Sequence, residues 1–112
     1  ILKAFIYSRD GFSAAVKSEA ALRQDLLVFV VFSLIALFLD LMLWQKALLI
    51  SSLLFIVIME LVNTAVETVI DRISPDYHEL SKKAKDIGSL LVLLSFINAF
   101  LIWGAFLYPL LF

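Results

Sequence analysis

Beyond residue 25 the chain alternates long apolar stretches with short polar interruptions, and the lengths of those stretches set the architecture. Residues 26–44 are apolar apart from Ser33 and Asp40, residues 47–70 form a second such run, and residues 87–112 a third. A helix needs about 20 apolar residues to cross a hydrocarbon layer, so each run predicts a transmembrane helix. Residues 1–25 read differently. Phe5, Phe12, Val16 and Leu22 interleave with Lys3, Arg9, Asp10, Lys17, Glu19 and Arg23, which suits an amphipathic helix on the membrane surface with Gly11 as its breaking point. Residues 45–46 form a short connection and residues 71–86 the one long polar connection, with a turn at Pro75 and helix resuming within 76–86. The expectation is an all-α integral membrane protein: one membrane domain over residues 1–112, made of a surface helix and three spans. Asp40, four residues from the end of its span, is close enough to the interface to snorkel.

The second run carries an internal pattern of its own. In Glu60-Leu-Val-Asn63-Thr-Ala-Val-Glu67, continuing to Asp71, steps of three, seven and eleven at about 100° per residue return to within roughly 60° of Glu60. The four polar residues form one acidic stripe on an otherwise apolar rod. A carboxylate near the bilayer centre costs about 2.5–3.5 kcal/mol on insertion scales, so the stripe is where chemistry is expected. At about 1.5 Å per residue from Ala47, Glu60 lies about 20 Å and Glu67 about 30 Å into a layer about 30 Å thick. One helix face thus runs from lipid depth to water.

Composition agrees with this picture. Of the 112 residues 63% are hydrophobic, with a mean hydropathy of +1.05, well above the 45–50% or so apolar content of soluble domains. The net charge of −1 gives no basic field for nucleic acid. The absence of cysteine excludes disulfides, thiol nucleophiles and zinc–thiolate sites. Lys3, Arg9 and Lys17 come without the early apolar core of a signal peptide. Lys3, Arg9, Lys17, Arg23, Arg72, Lys82, Lys83 and Lys85 fall on one side and only Lys46 on the other, which places the N-terminus and the 71–86 connection in the cytoplasm and the C-terminus outside. Trp44, Trp103 and Tyr108 then lie near the outer interface, Tyr7 and Tyr77 near the inner one.

Near the acidic face lie Glu19, from the surface helix, and Lys85-Asp86, at the mouth of the third span. Interfacial carboxylates are hard oxygen ligands suited to Mg²⁺ shared with phosphate oxygens, and a neighbouring lysine balances phosphate charge. A deeper carboxylate is suited to general-base duty. The parts fit phosphoryl transfer from a nucleotide to a hydroxyl at headgroup depth. They also fit helix–helix hydrogen bonding or an ion pathway. No phosphate-binding glycine loop is present, since the only glycines are Gly11, Gly88 and Gly104; from the residues alone enzyme, ion-pathway or helper subunit, and packing element all stand. Three helices offer little interior for such a stripe, which argues for a partner subunit, and Asn98 is a second candidate for interhelical hydrogen bonding.

The segment Glu60-Leu-Val-Asn63-Thr64-Ala65-Val-Glu67-x-x-x-Asp71 resembles the signature of the small prokaryotic diacylglycerol kinase family. Asp71-Arg72-Ile-Ser-Pro-Asp76-Tyr77-His78-Glu79-Leu-Ser-x-x-Ala84-Lys85-Asp86-Ile-Gly88-Ser89 is similar to its cytoplasmic loop, and Glu19-Ala-Ala-Leu-Arg23-Gln24 to its upstream segment. The resemblance implies ATP and Mg²⁺ as cofactors, diacylglycerol as lipid partner, a homotrimer with sites built from neighbouring subunits, and a bacterial cytoplasmic (inner) membrane. It makes Glu60 the catalytic base, and Glu19 and Glu67 the metal-holding pair on the nucleotide phosphates. Tyr7, Asp76, Tyr77, His78, Lys85 and Asp86 become ATP contacts. Lys3, Ser8, Arg9 and Ser89 lie with Glu60 where lipid binds, and Asn63 supports the site. The family places a basic nucleotide contact just ahead of the point where this sequence begins, and Ile1 is read as other than the native start. Lys82-Lys83 departs from a smaller-plus-basic pair and reads as an orientation determinant or anionic-lipid contact. Glu79 reads as a helix-start charge.

The same family includes undecaprenol kinases, the alternative reading. Tyr77-His78-Glu79-Leu-Ser and Ile87-Gly88-Ser89 look like the diacylglycerol branch, whose expected role is recycling diacylglycerol to phosphatidic acid for phospholipid synthesis.

Overall fold

The three apolar runs fold into long helices, but the breaks between them fall elsewhere than the polar residues suggest. A computed structural model describes residues 1–112 as four helices: α1 (Leu2–Ser18), α2 (Ala20–Phe38), α3 (Leu43–Ile73) and α4 (Glu79–Leu111). The last three are long and apolar enough to cross a membrane, while α1 is shorter. At about 1.5 Å per residue the 31 residues of α3 and the 33 of α4 reach about 46 and 50 Å. Both outrun a hydrocarbon layer of about 30 Å, so part of each stands in the interface or in water.

The interruptions are made by capping. α1 continues through Gly11 to Ser18, and Glu19, with extended backbone (φ −118°, ψ 110°), is the only non-helical residue between α1 and α2. The last carbonyls of α1 lack helical donors, and Arg23 fills the gap: its Nη1 donates to the carbonyls of Val16 (2.6 Å) and Lys17 (3.3 Å). The link between α2 and α3 is Leu39–Met42 rather than residues 45–46. Gln45 and Lys46 lie inside α3 and act as caps: Gln45 Oε1 accepts from the Met42 N–H (2.8 Å), and Lys46 Nζ donates to the Leu37 carbonyl at the end of α2 (2.8 Å). Asp40 is therefore an exposed turn residue, outside any span. The 71–86 connection is also mostly helical. α3 runs on to Ile73 and α4 begins at Glu79, leaving Ser74, Pro75, Asp76, Tyr77 and His78 as the turn. Within it Ser74 Oγ accepts from the Asp76 N–H (3.1 Å), and His78 Nδ1 accepts from the Leu80 N–H (3.1 Å), capping α4. Glu79 stands in the first turn of α4, where a negative charge favours the helix dipole.

α3 is the central helix, packed against both α2 and α4, and it holds eight of the fifteen buried residues. Ala36 and Ala99 let α2 and α4 close on Leu49, Leu53 and Ile56, with Trp103 beside them. A second cluster of Ala15, Leu22 and Val57 ties the α1–α2 corner to α3. Most other apolar side chains face outward: Phe38 is 87% exposed and Phe100 75%. Such a surface belongs against lipid or another subunit.

Candidate functional site

The acidic stripe runs down α3 from the protein interior to the Ser74–His78 turn. Glu60 is buried at 6% exposure, about 20 Å from the turn end of α3, while Glu67 is half-buried about 9 Å from it. One chain is enough to cover Glu60. Asn63 and Glu67 are half-buried and Asp71 is exposed, so the stripe opens progressively toward the turn.

Glu60 lies against a second carboxyl, that of Asp25 on α2, close enough for a side-chain hydrogen bond, and the charges of Glu67 and Glu19 also reach it. Asp25 was not among the candidates. The apolar run begins after it, so it read as the end of the surface helix, yet α2 starts at Ala20 and carries it into the packed bundle. Its spacing was the available signal. Leu22 and Phe29, three residues before and four after, both join the cluster on α3, which puts Asp25 on the same inward face.

Below Glu60, Asn63 Nδ2 donates to Glu67 Oε1 (3.3 Å). At the open end Lys85 Nζ bridges from α4 to Asp71 Oδ1 (2.9 Å), and Lys82 Nζ pairs with Asp86 Oδ2 one turn along α4 (2.6 Å). A cavity of ≈ 360 Å³ lies under this end, lined by both lysines and by Asp76, Tyr77, His78 and Asp86. Five of the expected nucleotide contacts therefore surround one hollow at the foot of the stripe. Tyr7 is not among its lining residues; like Lys3, Ser8 and Arg9 it is exposed on α1, where Arg9 pairs with its neighbour Asp10 (3.4 Å). Ser89 is exposed on α4, beside buried Gly88.

No three His, Asp or Glu side chains converge as a ready cation cage. The donor set still fits magnesium, which takes one or two carboxylates and completes its shell with water and phosphate oxygens. Glu19 and Glu67 are half-buried carboxylates whose charges both reach Glu60.

An all-helical bundle with three apolar helices of membrane length, an acidic stripe sunk into one of them and a hollow lined by Lys82 and Lys85 at its foot has the build of a membrane protein with its polar groups gathered at one end. Its relatives give the class a name. The profile of "Prokaryotic diacylglycerol kinase" matches residues 6–107. A protein of Escherichia coli (strain K12) named "Diacylglycerol kinase" is 45% identical over 103 residues, covering 92% of this chain and 84% of its own. Proteins of the same name are 47% identical over 89 residues in Pseudomonas aeruginosa (80% of this chain, 72% of the relative) and 38% identical over 102 residues in Haemophilus influenzae (91% and 86%). The chain belongs to the prokaryotic diacylglycerol kinase family, and so to a family of membrane enzymes.

Proposed function

We propose that the protein transfers the γ-phosphoryl group of ATP to the free hydroxyl of diacylglycerol, giving phosphatidic acid at the cytoplasmic face of a bacterial inner membrane. The observation that carries the reading is the continuity of the stripe: a buried carboxyl at lipid depth, a carboxylate–amide step below it, and a cavity at its foot lined by Lys82 and Lys85. In this reading Glu60 accepts the proton as the lipid oxygen bonds to the γ-phosphorus and the bond to the bridging oxygen breaks, releasing ADP. Asp25 holds the Glu60 carboxyl in place. Glu19 and Glu67 bind the metal on the nucleotide phosphates, and Asn63 orients Glu67. Magnesium, when bound, supplies positive charge against the charge of the transferring phosphoryl group. Lys85 does the same from the protein side, with Asp76, Tyr77, His78 and Asp86 seating the nucleotide around the turn. Tyr7 joins the nucleotide from α1; Lys3, Ser8 and Arg9 on α1 and Ser89 on α4 border the lipid. The basic residues of the first helix, with Arg72 at the end of α3 and Lys82, Lys83 and Lys85 at the start of α4, hold this end in the cytoplasm.

Homotrimerisation fits the outward-facing apolar surface of α2 and α4 and the partial exposure of Asn63 and Glu67. A neighbouring subunit would complete their shielding.

Detergent-solubilised protein supplied with labelled MgATP and diacylglycerol is expected to label the lipid. Glu60→Gln loses turnover by about 10²–10⁴-fold with nucleotide binding kept, whereas Glu67→Gln weakens metal–nucleotide binding. Normal turnover in both variants removes the assignment. Competition between diacylglycerol and undecaprenol tests the lipid, and equal rates contradict the preference for diacylglycerol.

A further inference from the structure

Gly88 is the one glycine of the chain whose missing side chain is filled by a neighbour. A β-carbon built on Gly11 or Gly104 meets nothing within 4 Å, but one on Gly88 overlaps Asn63 Oδ1 and stands 3.2 Å from its Cγ and 3.6 Å from its Cα. No glycine here has a positive φ, so backbone conformation does not call for glycine at this position. In the middle of α4 it only weakens the helix. What Gly88 supplies is space, and the Asn63 amide occupies it.

The orientation of that amide is fixed from its other side. A carboxylate only accepts hydrogen bonds, so Nδ2 faces Glu67 Oε1 and Oδ1 is turned onto Gly88, buried and without a donor. We infer that Gly88 is a positioning residue: its bare Cα lets Asn63 hold the rotamer from which it donates to Glu67. A methyl at residue 88 leaves the α3 backbone at ordinary contact distance but pushes the amide end aside, so Asn63 rotates and Glu67 loses its donor while the helices stay packed. The functional consequence rests on the proposed role of Glu67 as metal ligand, because losing a partner that orients a metal ligand typically costs about 10–100-fold in affinity.

The test uses the full-length protein in detergent, with thermal unfolding and binding of a non-hydrolysable ATP analogue read through the resonance of bound Mn²⁺. Gly88→Ala is expected to unfold at the parent temperature or above it, and to bind the Mn²⁺–nucleotide about tenfold more weakly. In an Asn63→Ala background, where the displaced amide is already gone, adding Gly88→Ala changes nothing further. Unfolding of Gly88→Ala below the parent temperature, or a loss that simply adds to that of Asn63→Ala, overturns the inference. So does parent-like affinity in Gly88→Ala when Glu67→Gln has lost it. Parent-like affinity in Glu67→Gln instead overturns the metal-ligand reading of Glu67, and this inference with it.

Discussion

At the level of single residues, the pairing of Glu60 with Asp25 separates a working site from a packing device. No lysine or arginine bridges Glu60, and two acids set together inside a bundle oppose folding rather than support it. Replacing Asp25 by Asn removes one acid and offers Glu60 a donor. The variant is expected to melt at or above the parent temperature in detergent while turnover falls by about tenfold or more; parent-level turnover would make Asp25 a spectator. Lys85 and Asp71 contrast with this pair. Their side chains are 42% and 63% exposed, so water screens the bridge and it adds little to stability. Lys85→Ala should leave the melting temperature nearly unchanged and raise KM for MgATP, and a large melting shift would assign Lys85 a structural role instead. The stripe from Glu60 to Asp71 was legible because polar residues stand out in an apolar run. Asp25 was not, because it abuts a polar segment and only the start of α2 at Ala20 reveals which side it belongs to.

At the level of helices, the sequence shows the spans and the turn at Pro75 but misplaces the joint before α3. Three apolar runs of sufficient length announce three long helices whatever their packing. The joints depend on which groups cap which ends, and neither break before α3 carries the proline or glycine that would mark it. Gln45 and Lys46 resemble a linker in the sequence, yet they sit within α3 and their side chains close the ends of two helices. Gly11 resembles a breaker and breaks nothing, since no β-carbon clash or special dihedral demands it. Gly11→Ala should therefore stabilise α1 by about 0.5–1 kcal/mol, seen as slower amide exchange across that helix. Arg23→Ala should loosen the same helix from the other end. With the Val16 and Lys17 carbonyls left to water, amide exchange in the last turn of α1 is expected to quicken, and unchanged exchange would show that solvent caps the helix equally well.

At the level of the whole molecule, a bundle 52 × 36 × 22 Å carries large aromatic and aliphatic side chains over its outer faces, part of which the proposed homotrimer would cover. Native mass spectrometry from detergent should show three chains, and a fully active monomer would refute that stoichiometry. One joint sets the direction of the first helix. Because Glu19 alone separates α1 from α2, two backbone torsions of that residue aim the whole first helix. Its 17 residues make a lever about 25 Å long, so a swing of about 10° carries the tip some 4 Å, roughly the thickness of an aromatic ring. Arg23, clasping the carbonyls on the far side of the pivot, is a brake on that swing beside the packing of Ala15 with Leu22 and Val57.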